Sequence, residues 1–486
     1  MSVDWQQLQG MAPVLGVAVD LIIAIAASSH VILNKSDTRA ATAWVGLIWL
    51  VPFLGAMLYV LLGINRIQRR AKVLKSGATP YSVCFDEVPG SQKALDRRLG
   101  DDRARLVELA RVVGNVTQRP LLVGNHVDRL VDGDEAYPAM LDAIRVARQS
   151  ISLVSYIFEA KGVGGEFVDA LADAAARGVA VRVLIDDVGT RYSRPHIDAV
   201  LKKRRVPVAK FLPAFLPRSF THFNLRNHCK IIVADGRVGF TGGMNIRQAS
   251  LLSSNPKYPT RDLHFRVVGP VVAQLQEAFA CDWAFTTGES LAGPLWFPEL
   301  QAEGQTLARG VTDGPDEDLN KLHWVFLAAI GEARRSIRIV TPYFLPDTVL
   351  TKALLLAAQR GVEIDIVVPE VVNLPVVRWA MWGHHRQVLR EGIRLWLSPP
   401  PFDHSKLFIV DGYWSSIGSS NWDPRSLRLN FEFNIECYDD ELGARLEDDV
   451  RRRIRDARLL TLEELDSRSS FQKIRDGTAG LMTPYL

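Results

Sequence analysis

The strongest constraint on this chain is that it repeats itself. Residues 140–149 carry apolar side chains at helical spacing, and 150–158 (SISLVSYIF) have strand composition. Residues 167–177 are again helical, Gly178 supplies a stop, and 179–186 (VAVRVLID) read as a buried strand. The same order returns about 180 residues later, in 325–335, 336–344 (SIRIVTPYF), 350–360, Gly361 and 362–369 (VEIDIVVP). The fragments ARQSI and ARRSI, then AAARGV and AAQRGV, mark equivalent places in the two halves. Strands and helices alternating at these lengths predict an α/β fold with mixed, parallel-rich sheets flanked by helices. A period this long is no solenoid repeat; it predicts two homologous lobes around a pseudo-twofold axis.

Each half then carries one signature. The first has His228, Lys230 and Asp235 in HCKIIVAD, followed by Gly242, Gly243 and Asn245. The second has His404, Lys406 and Asp411 in HSKLFIVD, followed by Gly418, Ser419 and Asn421. All spacings agree between the copies. One HxKxxxxD arises by chance in roughly a few per cent of such chains, whereas two in register within a repeat do not. On a strand, His and Lys two residues apart share a face. Two lobes brought together therefore put two imidazoles and two ammonium groups around one small space. That set suits a phosphodiester: one His attacks phosphorus, the other protonates the leaving oxygen, and Lys230 and Lys406 hold the non-bridging oxygens. Asn245 and Asn421 are expected to add hydrogen bonds. Asp235 and Asp411 complete the motif, but they sit at DG turns, where closing the turn or pairing with a cation is the expected role. Asp262 (RDLHFRV) and Glu432 (NFEFNIE) are better placed to orient the imidazoles, and we assign Asp262 to His228 and Glu432 to His404.

The N-terminus is of another kind. Residues 12–33 are apolar apart from Asp20, two serines and His30, and 41–63 contain no charge. Each run is long enough to cross a hydrocarbon core as helix. No Lys or Arg precedes the first, which argues against a cleaved signal. Arg66, Arg69, Arg70, Lys72 and Lys75 follow the second, against Lys35 and Arg39 between the runs, so the positive-inside rule puts the rest of the chain in the cytoplasm. Pro52, Gly46 and Gly55 would permit a bend in the second run. Residues 202–226 mix Phe211, Leu212, Phe215, Leu216, Phe220 and Phe223 with basic residues just ahead of His228, which fits either a packed loop with a charged rim or an interfacial patch attracting anionic lipid. Trp379, Trp382, His384 and His385 either line the approach or pack a helix. The expected division is a two-span anchor (1–70), a linker (71–116), lobe 1 (117–295), lobe 2 (296–465) and a tail (466–486). With 58 basic against 54 acidic residues, the net charge of +4 is smaller than a dedicated nucleic-acid binder usually shows and leans against a polynucleotide partner. Four scattered cysteines without a CxxC pair argue against zinc and disulfides.

The pair HCKIIVADGRVGFTGGMN and HSKLFIVDGYWSSIGSSN resembles the phospholipase D superfamily. With two apolar runs ahead of the lobes, and with GINRIQRR, CDWAFTTGE, TPYFLP and WDPRSLRLNFEFN, the chain is similar to the bacterial cardiolipin synthases. The likeness covers nearly the whole chain, thinning at 80–115 and after about 466. It implies transfer of a phosphatidyl group between two phosphatidylglycerol molecules, releasing glycerol, without a cofactor, at the bacterial inner membrane. It also implies His228 as the nucleophile, a choice that the symmetry leaves open. A hydrolase, or a transphosphatidylase using phosphatidylethanolamine or another alcohol, is the alternative; a non-catalytic scaffold would have lost a His or Lys. A homo-oligomer is left open. The chain departs from the family in Gly242-Gly243, where Gly-Ser is common, and in a less apolar tail.

Overall fold

The computed structural model of the chain describes residues 5–35, 38–60, 105–213, 225–316 and 318–483. They fall into two units, Met1–Arg70 and Ala71–Leu486. In the first, one stretch among the described helices, Gly16–Asn34, is long and apolar enough to cross a bilayer, with mean hydropathy 2.0. The second apolar run, expected to be one span, is broken into Thr38–Leu50 and Pro52–Leu58. Pro52 is the cause: it pushes Val51 out of the helical region, to φ −141° and ψ 79°. Gly55 then lets the two pieces close up, since a Cβ there would lie 2.6 Å from the Leu47 carbonyl oxygen. Tyr59 returns to the first helix, with its hydroxyl 2.8 Å from His30 Nδ1. The basic flank at 66–75, most of the 71–116 linker, and Phe215, Leu216, Phe220 and Phe223 lie outside the described residues.

In the second unit the repeat becomes two sets of strands. The first holds β1 (Leu122–Val131), β2 (Ser150–Ser155), β3 (Ala180–Asp186), β4 (Val208–Phe211), β5 (Arg226–Asn227), β6 (Ile231–Ala234), β7 (Val238–Gly242), β8 (Thr260–Arg261) and β9 (Leu263–Val268). The second holds β10 (Thr306–Asp313), β11 (Ser336–Val340), β12 (Glu363–Pro369), β13 (Arg394–Ser398), β14 (Phe402–Asp403), β15 (Leu407–Val410), β16 (Trp414–Gly418), β17 (Asn430–Tyr438) and β18 (Arg458–Leu459). From one edge to the other the order is β4-β3-β2-β6-β7-β9-β1, then β10-β17-β16-β15-β11-β12-β13-β18. The halves mirror each other about the antiparallel β1–β10 pair. Within the main path of the sheet, the parallel-rich expectation holds for the outer strands, β2-β3-β4 and β11-β12-β13. The hairpins β6–β7 and β15–β16 are antiparallel, because a three-residue turn can join nothing else.

Helices Val272–Thr287 and Asp440–Asp456 share one apolar core drawn from both halves, including Val233, Leu275, Ile409 and Leu446. That core joins the lobes by burial. The tail expected after 466 is a helix, Ser470–Leu481, lying on Pro375–Leu389. There Trp379 and Trp382 carry the guanidinium groups of Arg475 and Arg468 at 4.8 and 4.2 Å, while His385 is buried. Of the two readings offered for these residues, helix packing holds for Trp379, Trp382 and His385.

One ion pair is wholly buried. Arg309 meets Glu436 at 2.5 Å and donates to the Ala110 carbonyl at 2.7 Å, while Trp414 Nε1 donates to Glu436 at 3.0 Å. It ties helix Arg105–Thr117 to the second half of the sheet. Arg309→Ala strands a buried carboxylate and should cost about 3–5 kcal/mol, whereas Arg309→Met with Glu436→Leu should recover most of that. Thermal unfolding in detergent checks this; equal midpoints for single and double variants would contradict it.

Candidate active site

The residue ahead of each motif histidine turns the chain. Asn227 Oδ1 accepts from the Cys229 N–H at 3.1 Å, and Asp403 Oδ1 from the Ser405 N–H at 2.9 Å. These turns are braced by the two shared helices: Asn227 donates to Asp282 at 2.7 Å, and Asp403 accepts from Arg453 at 2.6 Å. The Asn/Asp at this position in both copies was a readable signal that the motif analysis passed over.

The short strands before the histidines cross between lobes. β5 pairs in parallel with β17, so the His228 N–H donates to the Phe431 carbonyl at 2.9 Å. β14 pairs in parallel with β8, and the His404 N–H donates to the Arg261 carbonyl at 2.8 Å. Each imidazole is thereby laid against the carboxylate of the opposite lobe. His228 Nδ1 is 2.9 Å from Glu432 Oε1, and His404 Nδ1 is 2.8 Å from Asp262 Oδ2. The assignment of Asp262 to His228 and Glu432 to His404 is therefore reversed. The physical reason is the crossed pairing, which places each carboxylate one residue past the carbonyl that anchors the other lobe's histidine.

The two lysines are buried between these pairs. Lys230 Nζ donates to the His228 carbonyl at 2.6 Å, and Lys406 Nζ to the His404 carbonyl, with His404 Nδ1 3.0 Å away. All four groups act on one another: Lys406 and Lys230 both bear on His228, and both lysines and His228 bear on His404. Burial, then these charges, hold both imidazoles neutral, His228 at about 4 and His404 well below its ordinary value. Burial also lowers Lys230 to about 7 and Lys406 to about 8. Tyr156, not foreseen, sets its ring 5.4 Å from that of His228. Such a site attracts an anion.

Asp235 and Asp411 stand at the far ends of β6 and β15. Asp235 accepts from the N–H groups of Arg148, Gln149 and Ser150 at 2.7–3.1 Å; Asp411 accepts from those of Arg335 and Ser336 at 2.7 and 2.9 Å, and pairs with Arg105. Both close the start of a neighbouring strand, away from the imidazoles. Asn245 Oδ1 accepts from the Ile157 N–H at 3.0 Å, and Asn421 hydrogen-bonds Asp423. Among the described residues no group of His, Cys, Asp and Glu is arranged to hold a metal ion.

The two carboxylates differ. Glu432 accepts from Ser419 Oγ at 2.5 Å and from Asn430 Nδ2 at 3.1 Å. Burial alone would raise its carboxyl, but interaction with the His228 ring, with Lys230 and Ser419, holds it below the ordinary value. Asp262 faces Gly243 where Glu432 faces Ser419; a Cβ on Gly243 would lie 2.3 Å from Asp262 Oδ1. It accepts the Leu263 N–H at 2.8 Å, and burial pushes it up to about 8.

The two halves that build this site, residues 140–283 and 326–454, both match the family model described as the PLD-like domain of cardiolipin synthase. The chain belongs to the cardiolipin synthase family. Residues 22–63 match a second model, the phospholipase D-nuclease N-terminal region. Within the cardiolipin synthase family, the chain is 30% identical to cardiolipin synthase 1 of Staphylococcus epidermidis, over 97% of this chain and 99% of that one. It is 30% identical to the major cardiolipin synthase of Bacillus subtilis, covering 93% and 95%. It is 31% identical to cardiolipin synthase A of Pseudomonas entomophila, covering 96% of each. The solved phosphatidylserine synthase of Haemophilus influenzae shares the fold, with TM-score 0.59 and 16% identity over 78% of this chain and all of that one.

The crossed pairing is testable without substrate. In double-mutant cycles on thermal stability, His228→Ala with Glu432→Gln should couple by about 1.5–3 kcal/mol, the range for hydrogen bonds to charged groups. His228→Ala with Asp262→Asn should be additive. The opposite pattern would contradict the geometry.

Proposed function

We propose that the chain makes cardiolipin by moving a phosphatidyl group from one phosphatidylglycerol to a hydroxyl of a second, releasing glycerol. The observation that carries this is the buried, anion-seeking space in which two His–carboxylate pairs and two lysines act on one another.

Ionised Glu432 takes the Nδ1–H of His228 and leaves Nε2 with its lone pair, which attacks phosphorus. The bond from phosphorus to the headgroup glycerol oxygen breaks, and that oxygen takes a proton from His404 Nε2. Asp262, near pH 7 a protonated acid, gives its hydrogen to His404 Nδ1 and so keeps the ring's own proton on Nε2. In the second half, a hydroxyl of the incoming lipid loses its proton to His404 and attacks phosphorus, and the P–N bond to His228 breaks. Lys230 and Lys406 hold the non-bridging oxygens throughout. Asn245 and Asn421 support the loops beside them, and Asp235 and Asp411 hold the two motif strands in place. Transfer wins over hydrolysis because the site excludes water.

In the same reading, 1–70 is the membrane anchor, 117–295 and 296–465 are the lobes, and 466–486 adds to lobe 2. Both apolar runs sit in the bacterial inner membrane, the second bent at Pro52, and the basic flank at 66–75 keeps the lobes cytoplasmic.

Expressed in a bacterial host without cardiolipin, the wild-type chain should yield cardiolipin by lipid mass spectrometry, and His228→Ala none. Phosphatidate in place of cardiolipin would make the chain a hydrolase instead. The lysines add a pH dependence. They are cationic below their folded values of about 7 and 8 and lose charge as pH rises through them. A bound phosphodiester restores that charge, so above about pH 8 KM for the lipid should rise while kcat holds. Lys406→Arg, which cannot deprotonate, should flatten the rise; an unchanged profile would contradict the assignment.

A further inference from the structure

The last helix, Ser470–Leu481, is started by a capping box between Ser469 and Gln472, so it is a well-made helix with an oddly placed apolar face. Its inner side buries Asp476 and Ala479 against lobe 2. Its outer side presents Phe471, Ile474 and Leu481, with exposures of 76, 69 and 79%, and Met482 follows, half exposed. These positions, with Thr478 between them, fall on one face at helical spacing.

The strip leads to the candidate site. The helix runs antiparallel to Pro375–Leu389: Arg386 pairs with Asp466, Arg468 lies over Trp382, and Arg475 lies over Trp379. Its Leu481 end therefore lies towards the start of Pro375–Leu389, where Val371, Leu374 and Val376 are exposed as well. In that same stretch Asn373 accepts from the Tyr343 hydroxyl at 2.7 Å. The Tyr343 ring is 6.4 Å from Phe402, which is 6.0 Å from His404. One apolar strip thus runs from the rim of the site outward along the last helix. Lys473 is exposed beside it, as is Arg386, which pairs with Asp466.

We propose that this strip seats lobe 2 in the headgroup boundary of an anionic bilayer, so that a lipid reaches His404 past Leu374 and Tyr343 without crossing water. A contiguous apolar face in water is disfavoured unless something covers it. The lipid surface is the occupant that fits both the flanking cations and the neighbouring site. The inference rests on the lipid-transfer reading above and names the face that meets the lipid.

The test uses the full chain, with Cys84 and Cys281 replaced by serine, reconstituted in phosphatidylglycerol vesicles. An environment-sensitive fluorophore is attached at Ile474→Cys and, as a control, at Val146→Cys on the lobe 1 surface. Lipids carrying a nitroxide on the acyl chain should quench the probe at 474 and spare the one at 146. Equal quenching at both, or shielding of 474 in lipid-free detergent that grows with protein concentration, would overturn the proposal, the latter in favour of a second copy. In a second arm, Ile474→Asp with Leu481→Asp should lower cardiolipin formation on vesicles by roughly tenfold or more for each anchor removed. The rate on short-chain phosphatidylglycerol in solution should be unchanged, and equal loss on both substrates would overturn the proposal. Quenching at 474 without cardiolipin from any phosphatidylglycerol would sustain the surface and sink the transferase reading.

Discussion

The arrangement depends on two pairs of hydrogen-bonded strands, each two residues long, exchanged between the lobes. β5 lies beside β17, and β14 beside β8, so each motif histidine takes its backbone anchor and its carboxylate from the other half of the chain. Neither half could then make a complete imidazole–carboxylate pair alone. Duplication gives the parts in two copies; the exchange makes them one site. The apolar layer shared by Val272–Thr287 and Asp440–Asp456 keeps the halves close enough for these short strands to pair. The Asx turns at Asn227 and Asp403 aim the imidazole and ammonium groups inward.

Within this near-symmetry the halves differ around the two carboxylates. Ser419 gives Glu432 a hydroxyl donor at 2.5 Å, and Gly243 gives Asp262 none. Two carboxylates in equal burial lie on opposite sides of neutrality: interaction with His228, then Lys230 and Ser419, holds Glu432 down, while burial raises Asp262 to about 8. A reaction with two displacements needs one imidazole with a lone pair towards phosphorus and one carrying a proton towards oxygen. In the mechanism proposed above, this asymmetry meets that need with His228 as the nucleophile.

Much of this was legible in the sequence because it lay in local patterns. The repeat, the paired His and Lys, and the turn role of Asp235 and Asp411 follow from spacing and from DG turns. The missing hydroxyl donor at Gly243 could be read too. The partnering of Asp262 and Glu432 could not, because strands of two residues carry no periodicity and the pairing depends on how the lobes dock. The parallel-rich expectation came from counting strand–helix–strand units, which describe the outer strands; the antiparallel hairpins after each motif fill the centre. Pro52 was visible in the second apolar run, yet how far it bends that run depended on Gly55 meeting the Leu47 carbonyl.

The central claim is that both imidazoles serve one phosphorus atom in unequal roles, and trapping the covalent intermediate tests it most directly. The chain is mixed with phosphatidylglycerol, quenched in denaturant and digested, and its peptides are weighed. A phosphatidyl adduct should appear on the peptide holding His228, accumulate when His404 is replaced by asparagine, and be absent from the peptide holding His404. Adducts on both histidines, or cardiolipin made with no adduct on either, would contradict the account.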